Sequence, residues 1–154
     1  MTVTQSQRSI FSTILQSDLS PNPTFQAAWL TARVLVGALM IHNGFSKLAD
    51  VQGFVDHVMS VIGFPFPLFF TYCAAYTEIA ASILLILGFL TRISALSLVF
   101  TMLIAVYFHV KGTGLQIAPL ETASLYLLCY LLFTVGGGGN FSIDHLLSRD
   151  RTNS

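Results

Sequence analysis

Apolar residues are gathered in four long stretches of the chain, which short polar segments separate. The stretches cover residues 27–45, 67–89, 93–108 and 117–135. A helix rises about 1.5 Å per residue, so about 16–23 residues match a hydrocarbon core of about 30 Å, the third stretch only just. The pattern predicts an all-α fold: an integral membrane four-helix bundle with short amphipathic surface helices.

The later connections between these stretches are short. Leu90, Thr91 and Arg92 separate the second stretch from the third, and residues 111–114 separate the third from the fourth. Two of the residues at 111–114 are glycines, which favour a turn. We therefore expect two tight hairpins.

The connection between the first two stretches, residues 46–65, is longer and amphipathic. One helical face would carry Val51, Phe54, Val55, Val58 and Ile62, with Asp50, Asp56 and His57 lying elsewhere. Gly63 and Pro65 would end such a helix. This segment is predicted to rest on the membrane surface.

The two ends of the chain are polar, and the pattern divides it into residues 1–26, 27–147 and 148–154. The first segment is a polar N-terminal region with a possible interfacial helix, on which Ile10, Phe11, Ile14, Leu15 and Leu19 recur at helical spacing. It lacks the basic and apolar regions of a secretory signal, which predicts that it is retained. The run Gly136–Gly139 should stop the fourth helix, and Ser142 or Asp144 should begin a short surface helix.

The composition indicates a lipid environment and argues against nucleic-acid binding. The chain of 154 residues is 54% hydrophobic and 9% charged, whereas a soluble domain carries about 25% charged residues. Its net formal charge of zero gives no basic surface for nucleic acid. Cys73 and Cys129 lie in apolar runs, where we expect them to be small buried hydrophobes.

The distribution of basic residues predicts the orientation of the bundle. One side would hold Arg8, Arg92, Arg149 and Arg151, and the other Lys47 and Lys111, diluted by Asp50 and Asp56. Basic loops stay in the cytoplasm, so both termini are predicted to be cytoplasmic.

Four ionisable residues fall inside the apolar stretches: Arg33, His42, Glu78 and Glu121. A charge at mid-membrane costs at least about 2.5–3.5 kcal/mol, so such residues should face the bundle interior. Two helical stripes are expected to pack together, namely Arg33, Gly37, Met40, Gly44 and Lys47 against Ala74, Ala75, Glu78, Ala81 and Ser82. We predict a buried Arg33–Glu78 ion pair, and a second polar cluster of His42, Glu121, Lys47 and His109.

These polar groups admit several interpretations. A purely structural role for the Arg33–Glu78 pair and a role in a ligand site both stay open, because a buried ion pair is weak evidence of function. A bis-histidine haem between His42 and His109, or a metal site that adds Glu121, lacks any fixed ligand spacing. No catalytic residue and no metal site are predicted.

The order of these features resembles the DoxX family of small four-helix bacterial and archaeal membrane proteins. The matching pieces are Arg33, Gly37, Gly44 and Lys47, then Gly63-Phe64-Pro65, Glu78, Leu84-Leu85-Ile86-Leu87-Gly88, Thr91-Arg92 and Glu121. Residues 137–144 stand where the family has Gly-Pro-Gly-Arg-x-Ser-Leu-Asp. Gly138 replaces the usual Pro and Asn140 the usual Arg, which removes any anion contact that this Arg makes.

The resemblance implies a bacterial inner membrane location and an association with quinone-linked redox metabolism. The family takes its name from a subunit of an archaeal terminal quinol oxidase. The leading hypothesis is a small redox-complex subunit that contacts quinone or a partner oxidoreductase. Its candidate cofactor-binding residues are Arg33, His42, Lys47, Glu78 and Glu121.

Two other functions stay open. One is a non-enzymatic structural or assembly subunit that recruits other membrane proteins through its small-residue stripes. The other, ranked last, is a carrier for a small or lipophilic solute, since the sequence has no convincing internal repeat. The expected partners are membrane lipids and other membrane protein subunits.

Overall fold

The computed structural model of the chain describes residues 17, 19–112 and 117–152. Within these residues the secondary structure is helical, and no strand occurs. The helices are α1 (Pro23–Ala49), α2 (Val51–Ile62), α3 (Pro67–Leu87), α4 (Thr91–Gly112), α5 (Ile117–Gly136) and α6 (Ile143–Thr152). The all-α prediction is therefore confirmed.

Four of these helices, α1, α3, α4 and α5, are long and apolar enough to cross a membrane. Each corresponds to one of the four apolar stretches, although α3 ends at Leu87, two residues before the end of its stretch. Helix α1 starts earlier than expected because the Asn22 side chain accepts a hydrogen bond from the Thr24 N–H at 2.9 Å. Helix α4 has 22 residues and includes Lys111 and Gly112, so the rest of the predicted turn falls outside the described residues.

The long helices turn large apolar side chains outward. Examples at more than half exposure are Leu35, Leu39, Phe100, Leu132 and Val135. So much outward apolar surface is unfavourable in water and favourable against lipid. The outer surface therefore fits a bundle that lies in a membrane.

The helices pack as two tight pairs, α1 with α3 and α4 with α5, which meet where α3 runs along α4. Glycines on α1 permit the first pairing. A Cβ atom at Gly37 would lie 2.6 Å from Ile86 and 3.3 Å from the Ser82 carbonyl oxygen, and one at Gly44 would lie 2.6 Å from Ile79 and 3.0 Å from the Ala75 carbonyl oxygen. The predicted packing of the two small-residue stripes is thus confirmed.

Helix α2 confirms the predicted amphipathic segment. It begins at Asp50, whose carboxylate accepts a hydrogen bond from the Gly53 N–H at 2.9 Å, and it ends at Gly63, which adopts a φ of 81°. Met59 and Ile62 are buried, whereas Asp56 is exposed. The middle of the helix, Val55–Met59, is a π-helical turn. Helix α2 marks one end of the bundle, which we call the α2 end.

The opposite end, which we call the terminal end, contains the start of α1 and all of α6. Helix α5 stops at the predicted glycine run, where Gly137 and Gly139 have φ values of 75° and 77°. Ser142 then caps α6, because its hydroxyl accepts a hydrogen bond from the His145 N–H at 3.2 Å. The interfacial helix predicted near Ile10 lies almost entirely outside the described residues.

Candidate functional site

A cavity of about 490 Å³ lies in the half of the bundle next to the α2 end. Helices α1 to α5 all contribute to its wall, which is mainly apolar and aromatic. Its larger apolar side chains are Phe54, Val58, Met59, Phe70, Phe100 and Phe108. Both its volume and its composition fall within the range of sites that bind small molecules.

One ion pair stands in this apolar wall. Lys47 Nζ donates a hydrogen bond to Glu78 Oε2 at 2.6 Å. The Glu78 side chain is 1% exposed and that of Lys47 is 17% exposed. Lys47 Nζ also lies 5.4 Å from the centre of the Phe54 ring, close enough for a cation–π interaction. The pair therefore presents a cation at the edge of an apolar space.

The predicted ion pair between Arg33 and Glu78 is wrong, and the offset between α1 and α3 explains why. Gly44 packs beside Ile79, and a Cβ atom at Gly88 would lie 2.7 Å from the Arg33 guanidinium. Arg33 is therefore level with Gly88, about 15 Å along α3 from Glu78. The sequence estimate set the start of α1 level with the end of α3, whereas α1 extends beyond that end, so that Arg33 lies beside Gly88.

The same offset brings Lys47 to Glu78. Lys47 lies one turn beyond Gly44, past the level of Glu78, and a long helical side chain leans back toward the N-terminus of its own helix. Its ammonium group thus returns to the level of the carboxylate. The stripe that the sequence predicted is correct, but the charged partner on it is Lys47 instead of Arg33.

The predicted outer polar cluster is only partly assembled. Lys47 and His109 line the cavity, while His42 and Glu121 are exposed and do not line it. His42 precedes Lys47 by five residues, which places it about 140° around α1. Within the described residues no group of three or more His, Cys, Asp or Glu side chains is arranged to hold a metal ion.

Sequence reasoning missed several polar residues of the cavity. They are Asn43, Thr77, Thr101, Thr122 and Tyr126. Helical spacing would have found Asn43, because it lies one turn before Lys47. The others sit among lipid-facing neighbours, and nothing in the local pattern separates them from ordinary helix positions.

Arg33 belongs to a second polar network, at the terminal end. Its side chain is 1% exposed and donates hydrogen bonds to the carbonyl oxygen of Gly138 and, at 2.6 Å, to that of Phe141. Trp29 Nε1 donates to the Gly137 carbonyl oxygen at 3.0 Å. The glycine run thus stops α5 and also supplies the acceptors that hold α1.

Asp144 completes this network by capping α4. Its carboxylate accepts hydrogen bonds from the Leu90 N–H at 2.7 Å, the Thr91 N–H at 2.8 Å and the Thr91 hydroxyl at 2.8 Å. These amides open α4 and have no partner within the helix. Its own N–H donates to the Gly88 carbonyl oxygen at 2.9 Å. The network thus joins three chain segments, chiefly through hydrogen bonds to main-chain atoms, which indicates a structural role.

Comparison with known proteins identifies the family. The model of the DoxX family matches residues 28–111. The chain is 34% identical over 118 residues to an uncharacterized protein of Haemophilus influenzae, an alignment that covers 73% of this chain and 85% of the other. It is 32% identical over 124 residues to the inner membrane protein YqjF of Escherichia coli (78% and 92% coverage). It is 36% identical over 123 residues to the inner membrane protein YphA of the same organism (75% and 86% coverage).

No solved structure matches the chain. The matched family region contains Arg33, Lys47 and Glu78, together with most of the residues that line the cavity. The relatives span nearly the same length, and two of them carry membrane names. This chain belongs to the DoxX family of membrane proteins.

Proposed function

We propose that this chain is an inner membrane protein that binds a lipophilic ligand of the quinone class in its cavity, as a small subunit of a membrane redox complex. The observation that supports this most directly is the buried Lys47–Glu78 pair in the wall of an apolar cavity. The names of the two Escherichia coli relatives support the inner membrane location.

The chemistry of the cavity suits a quinone head group. Such a ring is flat and apolar, and its carbonyl oxygens accept hydrogen bonds. The Lys47 ammonium has three N–H donors, one of which Glu78 occupies, so others are available to a carbonyl. The aromatic side chains Phe54, Phe70 and Phe108 offer stacking surfaces for the ring.

The position of the cavity also suits a ligand that arrives from the bilayer. Cys73, Phe100 and Thr122, on α3, α4 and α5, line the cavity and are exposed. In the proposed function a lipophilic molecule enters the cavity between these helices, directly from the bilayer. With both termini in the cytoplasm, as the charge distribution predicts, the cavity lies in the outer half of the membrane.

The first test is the content of the purified protein. The full chain is purified in mild detergent, extracted with organic solvent and analysed by mass spectrometry. We expect about one quinone per chain in the wild type, and its loss from Lys47→Met and Glu78→Gln. Glu121→Gln is the matched control, because it makes the same chemical change at an exposed residue outside the cavity.

A second test measures affinity directly with decylubiquinone, a short-chain quinone, by equilibrium dialysis against protein in detergent micelles. The proposal requires saturable binding at one site that Glu78→Gln weakens and Glu121→Gln leaves unchanged. Equal binding by all three proteins would contradict it, because it would show partition into the micelle.

A clean extract together with co-purifying membrane proteins would favour the structural-subunit hypothesis. The packing of the helices supports the structural-subunit hypothesis less than the sequence did. Gly37 and Gly44 already lie against Ile86 and Ile79 inside the bundle, so a partner protein would have to use the outer faces.

A further inference from the structure

Asn43 is a polar residue in the apolar part of α1, and the fold gives its side-chain amide no partner. The residue is half-buried and lines the cavity, and its amide forms no hydrogen bond with any residue that the structure describes. The nearby Ser46 hydroxyl, by contrast, donates to the His42 carbonyl oxygen at 3.0 Å. An unpaired amide in apolar surroundings costs free energy, and leucine would fill a similar volume without that cost. The amide therefore fits a partner that enters the cavity.

Asn43 and Lys47 border the same part of the cavity. Both line it, and Asn43 precedes Lys47 by four residues on α1, a spacing that places their Cβ atoms about 5–6 Å apart on one helix face. The Lys47 side chain leans back toward the N-terminus of α1, which is the direction of Asn43. The ammonium group and the amide therefore present N–H donors next to each other.

The other open polar groups of the wall are placed differently. The hydroxyls of Thr77 and Tyr126 also line the cavity and form no hydrogen bond with a described residue, but they belong to α3 and α5. Thr77 can turn its hydroxyl to a carbonyl oxygen of its own helix, as the Thr101 hydroxyl does at 3.1 Å. Of these three side chains, Asn43 is the one that shares a helix face with Lys47.

Two neighbouring donors match two neighbouring acceptors on the ring of a ligand. A ring carbonyl uses the Lys47 ammonium, which keeps N–H donors beyond the one bonded to Glu78. An oxygen on the next ring carbon then meets Asn43, whose amide carries two N–H donors. An alkyl group at that ring position has no acceptor and leaves the amide unpaired, which is how a polar site rejects an analogue that lacks the matching group.

We propose that Asn43 is a specificity-determining residue, which binds a ring oxygen adjacent to the carbonyl that Lys47 holds. The cavity then selects alkoxy-substituted benzoquinones over alkyl-substituted ones. The proposal rests on the proposed function, since it names the ligand class of the same cavity.

The experiment uses two probes that differ only at the relevant ring positions. Decylubiquinone carries two methoxy groups where decylplastoquinone carries two methyl groups, and both have the same ring carbonyls and the same chain. Their dissociation constants are measured by equilibrium dialysis with wild type and Asn43→Leu in detergent micelles. We expect Asn43→Leu to weaken decylubiquinone binding about fivefold, the usual effect of losing one hydrogen bond between neutral groups. Its affinity for decylplastoquinone should equal or exceed that of wild type.

Three further variants control for stability and position. Asn140→Leu makes the same chemical change at an exposed residue outside the cavity, so its affinities should equal those of wild type. Thr77→Val and Tyr126→Phe remove the other two open hydroxyls and should leave the preference between the two quinones unchanged. The thermal midpoint of Asn43→Leu without ligand should stay the same or rise, because the substitution removes an amide that has no partner in the described fold.

The outcomes separate this proposal from the proposed function. If wild type binds both quinones at one site and Asn43→Leu changes neither affinity, the role of Asn43 is overturned while the proposed function stands. An equal loss for both quinones in Asn43→Leu and in Asn43→Ala would also overturn it, because it would show only a change of cavity shape. Loss of the preference in Thr77→Val or Tyr126→Phe, but not in Asn43→Leu, would assign the contact elsewhere. If wild type binds neither quinone, both proposals fail.

Discussion

Lys47 Nζ is hydrogen-bonded to Glu78 Oε2 at 2.6 Å, although 31 residues separate the two side chains in sequence. The pair joins α1 to α3 inside the half of the bundle that holds the cavity. The Lys47 ammonium group neutralises the buried Glu78 carboxylate, and it also places a positive charge in the wall of the apolar cavity. Under the proposed function, stability and ligand binding both depend on Lys47 and Glu78, and mutations can separate the two effects.

Replacing Lys47 with Met should destabilise the protein by about 3–5 kcal/mol, because it leaves Glu78 buried without a partner. The double variant Lys47→Met, Glu78→Leu should regain most of this loss, since apolar side chains then fill the space. Unfolding by a denaturing detergent, followed by circular dichroism, measures both. If the loss of stability in the double variant equals the sum of the losses in Lys47→Met and Glu78→Leu, the two side chains do not interact.

Arg33→Ala should lower the stability of the protein without weakening ligand binding in the cavity. It removes the hydrogen bonds to the carbonyl oxygens of Gly138 and Phe141, for an expected loss of about 2–4 kcal/mol. Arg33 lies about 21 Å along α1 from Lys47, so decylubiquinone affinity should stay within about twofold of wild type. A thermal melt and a binding measurement on the same preparation test this. A large loss of affinity with an unchanged melt would instead return Arg33 to the ligand site.

Asp144 and Asp50 both cap helices, but one is buried and the other is exposed. Replacing them with Ala should therefore lower stability by different amounts. Asp144 is 1% exposed and accepts three hydrogen bonds at the start of α4, whereas Asp50 is exposed and caps α2 through Gly53. Asp144→Ala should cost about 2–3 kcal/mol and Asp50→Ala about 0.5–1 kcal/mol, because water can satisfy the freed amide only at the exposed site. Equal midpoints for the two variants would contradict this account of the terminal end.

The labelling rates of the two cysteines can show where the ligand binds. Cys73 is exposed and lines the cavity, whereas Cys129 does not line it. N-ethylmaleimide should label Cys73, and bound decylubiquinone should slow that reaction severalfold while leaving any labelling of Cys129 unchanged. Peptide mass spectrometry reports both sites separately. Equal slowing at both cysteines would point to a general effect on the micelle.

Much of the fold could be predicted because lipid imposes a simple rule on the sequence. A helix that crosses the membrane must be apolar over about 20 residues, so the four stretches were visible without any knowledge of their packing. The small residues Gly37 and Gly44 likewise marked the close face of α1. Amphipathic spacing around Phe54 and Val58 identified α2 for the same reason.

The pairing of charges was not visible, because it depends on how far α1 is displaced along α3. Sequence placed Arg33, Lys47 and Glu78 correctly on facing stripes, but a shift of a few turns decides which cation meets the carboxylate. Cys73 was expected to be buried, yet it is exposed, since hydropathy cannot separate a lipid-facing position from an interior one when both are apolar.

The sequence by itself determined that the chain is a membrane bundle of four long helices with facing polar stripes, because the solvent acts on each helix separately. Only the tertiary structure decided that Lys47 partners Glu78, that Arg33 holds the glycine loop, and that Tyr130 is fully buried. These relationships depend on the axial offset and rotation of packed helices. Hydrogen bonds act over about 3 Å, whereas a shift of one helical turn is about 5.4 Å, so a small displacement exchanges one partner for another.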